Sequence, residues 1–152
     1  MQAVRRFPFA IVALLCIGLA VACSRGSAPP AGRWEGTLDS PDAIVAARLQ
    51  ISSKGQIYVS APNAEDFGNG SEEDRAAIRQ RLADGLADSW DSVQPIALEF
   101  DGKTFRKPGG IAPQMEWDGS QMTLVVYLGK RDAIRIPLRA VKDFSPDPWN
   151  NA

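Results

Sequence analysis

Apolar and polar residues alternate along most of this chain, and one stretch breaks the alternation with a longer period. Residues 32–38 place Trp34 and Leu38 on one face of a strand, with Gly32 and Gly36 allowing close backbone approach. After a turn at Ser40, Pro41 and Asp42, residues 43–52 put Val45, Ala47, Leu49 and Ile51 on one side and Arg48 and Gln50 on the other. Lys54 and Gly55 turn the chain into residues 56–61, where Ile57 and Val59 point inward. The two-residue period returns near residue 94 and predicts strands at 94–100, 104–107, 113–117, 121–128 and 133–141, with glycine-containing turns between them. Met122, Leu124, Val126 and Leu128 share one face of the longest, and Ile134, Ile136 and Leu138 share a face of the next. Pro95 and Pro137 fall inside two of these strands and point to sheet edges or bulges, where a missing N–H is tolerated.

The exception is residues 72–88, which follow a loop at 62–70. Ser71 is placed to cap a helix whose first turn carries Glu72, Glu73 and Asp74, complementing its positive end. Ile78, Leu82 and Leu86 form a narrow apolar stripe, with Glu73, Asp84 and Asp88 turned away from it. Gly85 falls on the stripe, which suggests close approach to a sheet. The pattern predicts an α+β fold: a mainly antiparallel, curled meander of seven or eight strands, with one inserted amphipathic helix packed on an open face or across a mouth. Two proline-marked edges favour the open sheet over a closed barrel.

Residues 1–22 have a different organisation. Arg5 and Arg6 precede an apolar run over 7–22, the charge-then-hydrophobe layout of an export signal. A retained membrane anchor and a plain secretory signal are the alternatives. About 16 apolar residues are short for a span of roughly 20, and no cluster of positive residues follows. Ala20-Val21-Ala22-Cys23 resembles the lipobox of bacterial lipoproteins, with Ala20 where leucine is usual. The resemblance implies removal of residues 1–22, a diacylglyceryl group on the Cys23 thiol, and a mature chain beginning at that cysteine. In the enterobacterial pattern an aspartate after the cysteine marks inner-membrane retention. Ser24 is unlike it, so the resemblance implies the outer membrane, facing the periplasm. Residues 23–32 read as the lipidated cysteine and a flexible tether, 33–142 as one globular domain, and 143–152 as a tail in which Phe144 or Trp149 folds back over one end of the sheet.

Gly32-Arg33-Trp34-Glu35-Gly36 is similar to the first strand of lipocalin-like (calycin) barrels, and an ordinary amphipathic strand with a core tryptophan accounts for it equally. The resemblance implies a closed barrel as the alternative fold, and a late arginine packed across the tryptophan by a cation–π contact. Arg139 stands at the matching place near the end of the last strand.

Composition narrows the chemistry. The chain has no histidine, which removes the commonest general base and metal ligand. Its two cysteines are Cys16, within the signal, and Cys23, so the exported domain is expected to fold without a disulfide. The mature net charge of about −3 makes no case for nucleic acid. Residues 62–101 carry ten acids against three bases and residues 102–142 eight bases against three acids, so the acidic helix is expected to lie against the basic strands. Glu65/Asp66 and Glu99/Asp101 are carboxylate pairs with nothing to show that they converge, and Glu65, Asp66 and Asn69 offer oxygens to calcium at a spacing unlike an EF-hand. No metal, no nucleophile motif and no cofactor beyond the covalent lipid is expected. Trp34, Trp90 and Trp117 sit at core-compatible positions, and lining a pocket for an apolar ligand is the functional alternative. The expected function is non-catalytic binding of another envelope protein at the membrane surface; the alternative is a lipocalin-like carrier or sensor of a small apolar ligand.

Overall fold

Two antiparallel meanders, joined along one pair of strands, build the sheet. In the computed structural model, which describes residues 26–65, 70–129 and 132–151, the first contains β1 (Gly32–Asp39), β2 (Ala43–Ile51), β3 (Ile57–Ser60) and the short β4 (Asn63–Glu65). The second contains β5 (Glu99–Phe100), β6 (Thr104–Arg106), β7 (Pro113–Trp117), β8 (Met122–Val126) and β9 (Ile134–Val141). Among the described residues the order is β3-β2-β1-β9-β8-β7-β6-β5, with β4 running beside β2 beyond β3. The sheet curls but stays open, as the alternating pattern predicts. The gap between its outer strands is crossed by one bridge, Ile57 to Ile96, in which the Ile96 N–H donates to the Ile57 carbonyl at 2.8 Å.

The curl has two ends. The register places Gly32, Ile51, Thr104, Trp117, Met122 and Val141 at one, here called the base, and Asp39, Ala43, Arg106, Pro113, Val126 and Ile134 at the other, the rim. The concave face buries Trp34, Leu49, Phe105, Met115, Trp117, Met122, Leu124, Ile136 and Leu138. At Gly36 an added Cβ would run into the Pro137 carbonyl and the Leu138 side chain, so only glycine lets β9 pass this close. Pro137 is not on an edge strand, since β9 lies between β1 and β8. It is tolerated where the β1–β9 register has ended, at Glu35–Arg139.

Helix α1 (Glu72–Ser89) packs on the convex face of β2, not against the basic strands. Ser71 closes a capping box with Asp74. Ile78, Leu82 and Leu86 meet Ile44, Ala46 and Trp149, and burial of a leucine such as Leu86 contributes about 1.5–3 kcal/mol. Gly85 departs from its expected place: it is exposed, and a Cβ there would meet nothing within 4 Å. The buried small residue is Ala83. Arg75 and Arg79 pair with Asp39, and Arg79 also with Glu72, tying the helix to the rim end of β1. Among the described residues no helix is long and apolar enough to cross a membrane.

Residues 26–31 are laid against the domain instead of standing free of it. The Trp117 indole N–H donates to the Ser27 carbonyl at 3.0 Å. Pro29 is buried, and Gly26 lies so close to the Gly102 carbonyl that a Cβ would sit 2.5 Å away. The segment therefore crosses the base from β1 towards the β5–β6 turn. The tail returns as well, over the convex face: Phe144 meets Trp90 edge-on at 4.7 Å, and the Trp149 indole N–H donates to the Arg79 carbonyl at 3.2 Å.

Candidate functional site

The open seam leaves a cleft of about 400 Å³. One wall is Val59 and Ala61, from β3 and the residue after it; Ile96 and Leu98 stand at the bridge, and Met115, Leu124, Val125 and Val126 extend the apolar lining across β7 and β8. Gln114, Tyr127 and Lys107 bring polar atoms to it. Lys107, Gln114, Val126 and Tyr127 stand at rim ends of their strands, so the cleft lies towards the end of the sheet away from residues 26–31. Among the described residues the exposed large hydrophobics are Ile96, Tyr127 and Ile111, the last 91 % exposed in the β6–β7 loop. They gather at the same seam and rim. The Tyr127 hydroxyl donates to the Pro113 carbonyl at 2.7 Å, fixing its ring beside that loop.

A second cluster lies on the opposite face of the sheet and is structural. Arg48, Glu35 and Arg139 stand in register across β2, β1 and β9. Glu35 is 1 % exposed: Oε1 accepts from Arg139 Nη2 at 2.5 Å and Oε2 from the Ser145 N–H at 3.0 Å. Arg48, 5 % exposed, donates from Nη2 to the Ser145 carbonyl at 2.7 Å and from Nη1 to Leu86 at 3.5 Å, beneath the Phe144 ring. Burial pulls the Arg48 guanidinium below its ordinary value and the Glu35 charge opposes that shift. These bonds clamp the tail and the helix end onto the sheet.

The predicted site residues separate. Trp34 and Trp117 belong to the concave core, whereas Trp90 is half-buried on the convex side against Phe144. None of the three lines the cleft. Arg139 pairs with Glu35, on the face of β1 opposite Trp34, because adjacent strand residues point to opposite faces. Cys23, Asp66 and Asn69 lie outside the described residues. Among those described, no group of three histidine, cysteine, aspartate or glutamate side chains is placed to hold a metal. Glu35 and Arg48 are not among the sequence-predicted site residues; the alternation places Arg48 only on the face of β2 opposite the core.

Of the candidate acids, Asp101 is committed to a turn, as is Asp118, and Asp74 to the helix cap. The Thr104 N–H and hydroxyl, the Lys103 N–H and Arg106 hold the Asp101 carboxyl far below the usual aspartate range. Asp118 is lowered by the Gln121 and Ser120 N–H groups, and Asp74 by Ser71. A carboxyl lowered on folding binds fewer protons in the folded state. Its stabilisation is therefore present above its ordinary value, about 4, and lost as pH falls through the lowered one. The urea midpoint is expected to fall from pH 5 to pH 2, with a shallower fall in Asp101→Asn. Equal slopes for the two proteins would contradict this assignment.

Comparison with protein-family models, with curated proteins and with solved structures finds no match.

Proposed function

We propose that this chain is a non-catalytic envelope lipoprotein, held by a lipid on Cys23 at the outer membrane facing the periplasm, that binds another envelope protein at its open seam. The observation that carries the binding reading is the apolar cleft with Ile96, Tyr127 and Ile111 exposed around it, since exposed apolar side chains gathered at one place mark interaction sites. The non-catalytic reading draws on the uses of the charged groups: Glu35 and Arg48 hold the tail, and Asp101 and Asp118 hold turns. The membrane reading draws on the lipobox-like Ala20-Val21-Ala22-Cys23. A carrier of a small apolar ligand is the second reading, favoured by the cleft volume of about 400 Å³.

Chemical crosslinking in intact membranes tests the choice. A discrete product with one envelope protein is expected. Random capture of abundant envelope proteins removes support from the first reading, and an apolar small molecule retained in native mass spectrometry favours the second.

A further inference from the structure

We infer that the seam cleft receives an extended segment of another protein, which adds as a strand to the outer edge of β3 and places a carboxylate at Lys107. The inference rests on the binding reading above and names the kind of partner.

The phase of the β2–β3 ladder sets the geometry. Ser52 N–H donates to the Gln56 carbonyl and Ala46 N–H to the Pro62 carbonyl, so even-numbered residues of this strand face β2. The odd-numbered ones face the seam, as the Ile57 carbonyl does in accepting from Ile96. Val59 and Ala61 therefore turn their N–H groups, and Val59 also its carbonyl, towards a side on which no strand among the described residues continues the pairing. The segment bearing Ile96 cannot supply it. In the antiparallel register of that single bridge, Val59 would stand opposite Gln94, where the chain has no strand structure. The Val59 and Ala61 side chains line the cleft. An incoming strand thus finds a main-chain ladder and an apolar cleft for alternate side chains at one place, the arrangement of strand addition.

Charge completes the description of the occupant. Among the described residues Lys107 is the one charged residue lining the cleft, and its ammonium has no hydrogen-bond or ion-pair partner there. A segment with an acidic side chain or a terminal carboxylate complements it. An acyl chain would fill the apolar space but leave the Val59 amide groups buried without partners, an unfavourable outcome that a peptide avoids.

The test uses the full chain in its own membranes. A benzophenone amino acid replaces Tyr127, which lines the cleft, or Tyr58, which lines a separate recess with Gln50 and Trp90. After irradiation the crosslinked peptides are sequenced. Position 127 is expected to capture one short segment of one protein, with alternating apolar residues and a carboxylate, while position 58 does not. Lys107→Glu, an exposed substitution, is expected to reduce the yield by about tenfold with an unchanged circular dichroism spectrum, and reversing the partner's acid to lysine restores it. The inference is overturned by equal capture from both positions, by adducts with acyl chains or with a second copy of this chain alone, or by a yield indifferent to Lys107→Glu. If it fails while intact-membrane crosslinking still yields a discrete partner, the binding reading stands and the surface lies elsewhere.

Discussion

Replacing Glu35 with alanine is expected to lower the unfolding free energy by about 1–3 kcal/mol, the range for leaving buried polar groups without a partner, because Arg139, at the other end of the ion pair, is 40 % exposed. The carboxylate holds Arg139 and the Ser145 N–H and lies in register with Arg48. Arg48 is buried, and its Nε already lacks a hydrogen-bond partner. Without Glu35 that guanidinium keeps its desolvation cost and loses its nearest described counter-charge, while the tail loses one of its fastenings. Glu35→Gln, which retains an acceptor of the same shape, is expected to cost less. Adding Arg48→Met to Glu35→Ala should recover part of the loss, because the stranded charge goes with it. Urea unfolding followed by tryptophan fluorescence measures all three, and a loss below about 1 kcal/mol in Glu35→Ala would show that water reaches the cluster.

The second large effect is on location. Cys23→Ser is expected to move the chain from the membrane pellet to the soluble fraction and to abolish acyl labelling. Serine keeps the size of the side chain and removes the thiol that would carry the lipid. Stable attachment needs more than one acyl chain or an added signal. Continued full membrane association and acyl labelling of the variant would refute the lipobox reading.

Much of the architecture was legible because one physical pattern dominated. Trp34, Val45, Ala47, Leu49 and the apolar faces of β8 and β9 alternate with polar residues, and alternation reports a sheet with one covered face. The helix was legible through Ser71 and its acidic first turn. The same logic failed where the second face of a strand is covered. Alternation puts Arg48 on the face opposite the core and says nothing of its cover, yet helix and tail bury it. Ile44 and Ala46, apolar on that outward side, were the available signal that β2 is covered twice. Asn63–Glu65 has the composition of a loop, and pairs because the long β2 offers it an unused edge. Residues 94–100 alternate well but form a strand only at their end, where β6 supplies a partner. The cleft was illegible for a related reason. It is a property of where two edges fail to meet, and no local pattern encodes a gap.

The contact of residues 26–31 with the base changes the mechanical character of an attachment at Cys23. A free run from the cysteine to β1 would let the domain swing over roughly 30 Å. With Ser27 bound to Trp117 and Gly26 pressed against Gly102, only Ser24 and Arg25 separate Cys23 from the body, three residue steps with a reach of about 10 Å. A pendulum becomes a bracket. An attachment at Cys23 would therefore set the base towards the bilayer and leave the rim, with Lys107 and Tyr127, on the side away from the lipid, where the proposed strand would enter.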